Sequence, residues 1–338
     1  MPDRRSIVGF AGYPVLQLLT LILTACAGGQ PKTQPPAATP TPPASIRIAA
    51  SIHEFPLPSG RAPTGITVGP DHNLWFTEEA GSRIGRLSVS GKLLEISLPI
   101  DGAPGVGIIP GPDGNLWFTD RNADQVGRMT PLGQITEYPA PSSSSPIDIT
   151  AAPDGTLWFS ESNTDRLGHL GIDGRLLNEV ALPAGTAPAG LTFGADGNLW
   201  ICASASNEIL RVSTTGQISR YRLKTEDAHP FRITRAPDGN LWFVEFLGNR
   251  IGRVTPSGVL TEFAARVFGP VGITTDTAGS VWFTEEKGDA IGRIASSGSV
   301  TEYVLPRGVA PEGIVSGPDG ALWFSEFKTS RIGRLAVP

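Results

Sequence analysis

The sequence predicts an all-β fold, a seven-bladed β-propeller built from four-stranded antiparallel blades. The segment "DGNLWFTD" (113–120) recurs in seven related versions, and every tryptophan belongs to this series. The tryptophans are Trp75, Trp117, Trp158, Trp200, Trp242, Trp282 and Trp323. A period near 41 residues, with several short strands in each repeat, is typical of a propeller. The high content of glycine (41) and proline (31) and the absence of long amphipathic helical patterns agree with this class.

One repeat, residues 62–98, shows the order of strands and turns in a blade. The runs "APTGITV", "LWFTE", "IGRLSV" and "LLEISLP" are separated by "GPDHN", "AGSR" and "SGK". Runs of four to seven residues bounded by Gly, Pro, Asp or Ser are typical of strands and turns. The Asp-Gly pairs in the first turn, such as Asp113-Gly114, favour hairpin turns over calcium loops.

The two ends of the repeat region predict how the ring closes. The last repeat stops at "RIGRLAVP", after its third strand, whereas "SIHEFPLPSG" (51–60) is similar to the fourth-strand segments "QITEYPAP" and "SVTEYVLP". The N-terminal strand should therefore complete blade seven and remove two exposed sheet edges. We expect the propeller to extend over residues 46–338.

The first 45 residues have a different composition. Residues 1–26 hold two arginines, an apolar run and the segment "LTAC", which resembles a bacterial lipobox with Cys26 as the lipidated residue. A transmembrane helix is the alternative, but the run is interrupted by Gly and Pro14. Residues 27–45 are a Pro/Thr-rich linker. We expect an extracytoplasmic protein anchored to a bacterial membrane through lipid alone, with Cys202 left as a buried, inert thiol.

The charge pattern excludes some classes of partner. The net charge is −5 and 17% of the residues are charged, with no basic patch that would bind nucleic acid. We expect a monomer that binds a small molecule or a cyclic peptide at the mouth of the central channel.

An acidic residue follows most of the tryptophans at the end of the second strand. The series is Glu78, Asp120, Glu161, Ala203, Glu245, Glu285 and Glu326. One hypothesis is that these acids approach the central opening and hold a divalent metal, which takes several carboxylate oxygens. The other is that they are structural, neutralised in part by the third-strand arginines Arg86, Arg128, Arg211, Arg253, Arg293 and Arg334.

Departures from the repeat predict where a specific site lies. Most first strands begin Pro-x-Gly, with the glycine expected to leave the channel mouth bare. Blade three instead has Asp148, blade five has Phe231 and Arg232 after His229, and blade seven has Glu312. We therefore predict that Asp148, Phe231 and Arg232 bind a ligand.

The repeated pattern "LWFTE…RIGR…G.ITEY.LP" resembles the virginiamycin B lyase (streptogramin B lyase) family, and "LWFVEFLGNRIGRV" (241–254) is especially similar to its fifth blade. The resemblance covers residues 50–338. It implies a propeller enzyme that linearises a cyclic depsipeptide antibiotic by elimination, and hence a link to antibiotic resistance. It also implies that a general base removes a proton beside a carbonyl, while Mg²⁺ held by an acid stabilises the enolate-like charge.

The same resemblance identifies where this sequence departs from the family. The family carries a histidine after the proline that opens the first strand in blades six and seven; those positions are Val271 and Glu312 here. The family acid that precedes the second of these prolines is replaced by Ala310, and Glu326 could correspond to the metal-site acid with an offset of one residue.

Three hypotheses for function follow. The first is a diverged carbon–oxygen lyase that uses Glu312 or His229 as the base and binds a metal, by resemblance Mg²⁺, at Glu285 and Glu326. The second is a non-catalytic binding or interaction propeller. The third is a lactonase-like metal hydrolase, suggested only by the ring of acids.

Overall fold

The structure, a computed structural model, describes residues 46–99, 102–213, 215–264 and 266–337. The predictions for residues 1–45, including lipidation of Cys26, lie outside the described residues. Within the described ranges, no helix is both long and apolar enough to span a bilayer.

Seven separate sheets confirm the predicted all-β propeller. Blade one contains β3 (Pro63–Val68), β4 (Leu74–Glu78), β5 (Arg83–Leu87) and β6 (Leu93–Ser97). Blade two contains β7 (Pro104–Pro110), β8 (Leu116–Asp120), β9 (Gln125–Met129) and β10 (Ile135–Pro139). Blade three contains β11 (Pro146–Ala151), β12 (Leu157–Glu161), β13 (Arg166–Leu170) and β14 (Leu176–Ala181). Blade four contains β15 (Pro188–Phe193), β16 (Leu199–Ala203), β17 (Glu208–Val212) and β18 (Ile218–Arg222).

The remaining blades follow the same order. Blade five contains β19 (Pro230–Arg235), β20 (Leu241–Glu245), β21 (Arg250–Val254) and β22 (Leu260–Phe263). Blade six contains β23 (Pro270–Thr275), β24 (Val281–Glu285), β25 (Ala290–Ile294) and β26 (Val300–Val304). Blade seven contains β27 (Pro311–Ser316), β28 (Leu322–Glu326), β29 (Arg331–Leu335) and β2 (Ile52–Pro56), and β1 (Ile46–Ala49) precedes it in the chain. One 3₁₀ turn, Glu79–Gly81, follows β4.

The predicted closure of the ring is confirmed. Strand β2 pairs antiparallel with β29, with Ile52 opposite Leu335 and Pro56 opposite Arg331. The N-terminal strand therefore supplies the fourth strand of blade seven, and no blade is left with three strands.

Strand β1 was not predicted. It adds a fifth strand to blade six, pairing in parallel with β26, with Ile46 opposite Thr301 and Ala49 opposite Val304. Arg47 also pairs with Glu302, at 2.9 Å between Nε and Oε2. No other repeat offers a copy of this strand, since the other blades have four strands in the described structure.

The tryptophans pack between blades, as expected. Trp200 of blade four lies in one buried cluster with Leu241 and Phe243 of blade five. The indole N–H is satisfied by the turn aspartate, as where Trp200 Nε1 donates to Asp196 at 3.2 Å. The expectation that the third-strand arginines neutralise the second-strand acids is wrong. In blade one, Arg86 lies over the Trp75 ring and pairs with the turn residue Asp71 at 2.8 Å.

The inner ring is held by close contacts between first strands. Ser325 Oγ accepts the Gly313 N–H and donates to the Thr64 carbonyl of blade one, at 2.8 Å and 2.6 Å. A Cβ atom at Gly190 would lie 2.6 Å from the Phe231 carbonyl oxygen of the next blade. The glycine therefore permits close approach of neighbouring strands, which corrects the expectation that it keeps the channel mouth bare.

Candidate functional site at the channel mouth

The channel mouth is the end of the propeller where the first strands begin and the second strands end. The residue after each second strand is tied to the segment before the first strand of its own blade. Glu79 N–H donates to the Ala62 carbonyl at 3.1 Å, and Glu286 N–H donates to the Gly269 carbonyl at 2.9 Å. This pairing brings the residues after the second strands to the same end as Glu312, the second residue of β27.

Glu312 is the most deeply buried of the residues predicted to act as a base or to bind the ligand. The residue is 4% exposed, and its Oε2 atom has no hydrogen-bond partner among the described residues. Its backbone is fixed, because Thr284 Oγ1 donates to the Glu312 carbonyl at 2.6 Å. Burial raises the pKa of the Glu312 carboxyl well above its usual range, with Glu286 and Glu79 adding to the rise. A carboxyl whose pKa is strongly raised, at the mouth of a channel, is a candidate for proton exchange with a ligand.

Arg232 and Asp148 meet across the channel. Arg232 Nη2 donates to the Val106 carbonyl of blade two at 2.7 Å, and Arg232 Nη1 lies 3.8 Å from Asp148 Oδ1 of blade three. Blade five adjoins neither of these blades, so the side chain crosses the opening. Burial raises the pKa of Asp148, and the Arg232 charge acts in the opposite direction.

Further charged and aromatic residues follow the second strands at the channel mouth. Arg121 pairs with Glu79 at 2.7 Å. The Lys287 ammonium lies 4.6 Å from the centre of the Phe246 ring. Arg232 and Arg121 lower the pKa of Glu312 in opposition to burial, which puts these cations within electrostatic reach of its carboxyl.

His229 and Phe231 have different surroundings from Glu312. His229 is half-buried and adopts a positive φ of 53° just before β19, and burial lowers its pKa. Phe231 packs against the buried clusters on both sides of blade five. The structure brings Asp148 and Arg232 together, whereas Phe231 serves the packing between blades.

The two predicted metal ligands lie apart, each inside its own blade. Glu285 accepts the Phe268 N–H at 2.8 Å, and Glu326 accepts from Thr329 Oγ1 at 2.7 Å. Both residues are fully buried, and burial raises the pKa of Glu285 to about 8 and that of Glu326 to about 7. No group of three or more His, Cys, Asp or Glu side chains in the described part of the chain could hold a metal. The donors predicted for Mg²⁺ do not form such a group, so the ion stays a prediction.

Sequence reasoning missed the residues that follow the second strands. These are Glu79, Arg121, Ser162, Ser204, Phe246, Glu286 and Phe327. The position before them is nearly uniform, whereas this one holds acids, a base, hydroxyls and aromatic rings. Variation at one position of a repeated scaffold was the signal that could have identified them.

Comparison with known proteins gives a consistent result. The model of the virginiamycin B lyase family matches residues 50–267 and 264–338. A solved streptogramin B lyase structure is 37% identical with a TM-score of 0.80, covering 84% of this chain and 97% of its own. Virginiamycin B lyase from Staphylococcus aureus is 34% identical with a TM-score of 0.80, covering 85% and 99%. A catalytically inactive histidine-to-alanine variant of it, solved with quinupristin, is also 34% identical, with a TM-score of 0.79 and coverage of 85% and 99%. A search of curated proteins finds no match.

Proposed function

Because the chain belongs to the virginiamycin B lyase family, we propose that its channel mouth binds a cyclic depsipeptide or a related cyclic ester, with Glu312 as the proton acceptor. The observation that carries this proposal is the Glu312 carboxyl, which is 4% exposed and has an oxygen without a hydrogen-bond partner among the described residues. It occupies a first-strand position where the family resemblance implies a histidine.

The chemistry open to this carboxylate is an elimination. Glu312 would take a proton from a carbon beside a carbonyl of the ligand. The electron pair of that C–H bond forms a C=C bond with the neighbouring carbon, whose C–O bond to the ester oxygen breaks. The products are a linear chain with a free carboxylate and a protonated Glu312, so atoms and electrons balance. No water is consumed in this step.

Efficient linearisation of streptogramin B is not expected. Val271, which occupies the other position of the implied histidine pair, is buried and cannot transfer a proton. Ala310 stands where the family has an acid and is 1% exposed. General acid–base groups typically contribute about 10²–10⁴-fold to a rate, so losing one of a pair is enough to reduce turnover severely.

The test uses quinupristin with the wild-type protein, with Glu312→Gln, and with a triple variant and its three single changes. We expect the wild type to bind quinupristin, detected by calorimetry, and to linearise it slowly or not at all. Glu312→Gln should abolish any residual linearisation while retaining binding. The triple change Val271→His, Glu312→His and Ala310→Glu should raise turnover, and each single change should do less because such residues act as a unit.

The residual rate also has a defined pH dependence. A base must be deprotonated to act, and burial raises the pKa of Glu312. Any wild-type linearisation should therefore increase as the pH rises above the usual titration range of a glutamate, and the increase should be absent in Glu312→Gln. Binding without turnover at any pH would support the non-catalytic binding propeller instead. Failure to bind quinupristin would contradict the proposed ligand class.

We also infer that the propeller is monomeric, extracytoplasmic and lipid-anchored, supported by "LTAC" and the Pro/Thr-rich segment after it. Cys26→Ala should leave an unlipidated precursor, because the thiol is the acyl acceptor. Metabolic labelling with palmitate tests this, and a mutant that is still labelled would contradict the anchor.

A further inference from the structure

Arg232 occupies a position that is closed to side chains in most blades. In each first strand, one residue precedes the aliphatic residue that pairs with the middle of the second strand, as Gly65 precedes Ile66. This residue is glycine in five blades, and in the other two it is Asp148 and Arg232. The glycines are required by close approach: a Cβ atom at Gly107 would lie 2.9 Å from the Asp148 Cα of the next blade. A long charged side chain at this level is therefore a departure from the packing rule of the inner ring.

Only some of the N–H donors of the Arg232 guanidinium have partners among the described residues. Its Nη2 donates to the Val106 carbonyl at 2.7 Å, and its Nη1 lies 3.8 Å from Asp148, beyond hydrogen-bond distance. Its Nε is buried and has no hydrogen-bond partner among the described residues. A guanidinium has five N–H donors in a planar fork, so donors remain for a ligand.

The contacts with the Val106 carbonyl of blade two and with Asp148 of blade three hold the Arg232 guanidinium in the channel. The Arg232 side chain is 21% exposed, so part of it remains accessible to solvent at the mouth. Its charge also acts on the Glu312 carboxyl. Arg232 and Glu312 both lie near the start of a first strand, so the cation and the proton acceptor are at the same end of the channel. The predicted metal ligands Glu285 and Glu326 lie inside separate blades.

We propose that Arg232 binds a carbonyl or carboxylate oxygen of the ligand that Glu312 faces, and supplies the positive charge that the family resemblance assigns to Mg²⁺. The inference rests on the proposed function. A fixed guanidinium stabilises charge that develops on a carbonyl oxygen, and a preoriented donor needs no reorganisation when that charge forms. The mouth would then bind its ligand without a divalent metal.

Quinupristin binding tests the proposal. The wild type should bind it with a Kd that is the same, within about twofold, in excess Mg²⁺ or in EDTA. Arg232→Gln should weaken binding about tenfold or more, consistent with the loss of a charge-assisted hydrogen bond. Arg232→Lys should recover part of the affinity, because it keeps the charge and loses the fork. Arg235→Gln is the matched control, since Arg235 is exposed at the end of the same strand. Binding that requires Mg²⁺ and is unchanged in Arg232→Gln would overturn the inference.

A second probe separates this inference from the proposed function. Acetate, the smallest carboxylate, is titrated into the full chain while the ¹⁵Nε resonance of Arg232 is followed by NMR and assigned with Arg232→Gln. A saturable shift supports the oxygen site even if quinupristin does not bind, in which case only the proposed ligand class fails. Absence of a shift, together with wild-type quinupristin affinity in Arg232→Gln, refutes the role of Arg232 and leaves the proposed function standing.

Discussion

Blade four and the other six blades fill the same space in different ways. In the six, a buried acid of the second strand lies near an acid of the fourth strand. The pairs are Glu78 with Glu95, Asp120 with Glu137, Glu161 with Glu179, Glu245 with Glu262, Glu285 with Glu302, and Glu326 with Glu54. Blade four has Ala203 and Arg220 at these two positions.

The replacement in blade four extends to the neighbouring strands. In blade six, Gly292 pairs with Phe283, and a Cβ atom at Gly292 would collide with the Phe283 ring. In blade four the same pair is Leu210 with Ile201, both fully buried. Arg220 pairs instead with Glu208, at 2.9 Å. A blade can therefore exchange the aromatic ring, glycine and carboxyl pair for aliphatic packing and keep its four strands. The acids belong to the interior of the blades.

The largest expected effect comes from the N-terminal strands, which serve blades six and seven and leave blade four untouched. Deleting 46–60 removes β1 and β2 and exposes two strand edges. We expect aggregation, or a fall in the thermal midpoint of about 10 °C or more. Deleting only 46–49 is the control and should cost far less, because β1 is a fifth strand on an already complete sheet. Equal stability of the two deletions would contradict the closure.

The aliphatic filling of blade four is tested by Leu210→Gly. A fully buried leucine leaves a cavity when removed, and glycine adds backbone entropy to the unfolded chain, so we expect a loss of about 3–5 kcal/mol. The measurement is urea unfolding. The double change Leu210→Gly with Ile201→Phe restores the pairing of the other blades and should recover part of the loss. A single mutant as stable as the wild type would show that blade four is loosely packed.

The carboxyl pairs predict a pH dependence that blade four cannot share. Burial raises the pKa of Glu245 and Glu285 to about 8, from a usual value near 4.5. The folded state then binds protons more tightly than the unfolded chain, so this contribution to stability is complete below about pH 4.5 and is lost as the pH rises towards 8. The thermal midpoint should fall between pH 5 and 9.

Glu285→Gln should reduce the fall of the thermal midpoint between pH 5 and 9, because the amide does not titrate. Glu208→Gln in blade four is the matched control, since Glu208 is paired with Arg220 and should leave the slope unchanged. A midpoint that rises across this range would mean that the pairs are ionised in the folded protein.

Much of the fold followed from local sequence, and the site followed only in part. The tryptophan period fixed the number of blades, and the similarity of 51–60 to fourth strands predicted the closure. Whether the second-strand acids face the channel or the interior of the blade could not be predicted. Strand alternation places a side chain on one face of its sheet but does not tell which neighbour covers that face. Arg232 and the Val106 carbonyl that it contacts are 126 residues apart in sequence, so no local sequence pattern predicts the contact.

The smallest expected effect concerns how blade six compensates for a missing cation. The third strand begins with arginine in blades one, three, five and seven, but with Ala290 in blade six. Arg47 of β1 supplies a positive charge there, bonded to Glu302, which is 2% exposed at its side chain. Arg47 itself is half-exposed, so the pair is screened by water and Arg47→Ala should cost about 1 kcal/mol or less. Ala290→Arg should offset that loss if the cation position is equivalent in the blades. Thermal unfolding of both single variants and the double variant measures the coupling. Additive effects would mean that Arg47 acts through strand pairing alone, and that blade six tolerates its acids without a neighbouring cation.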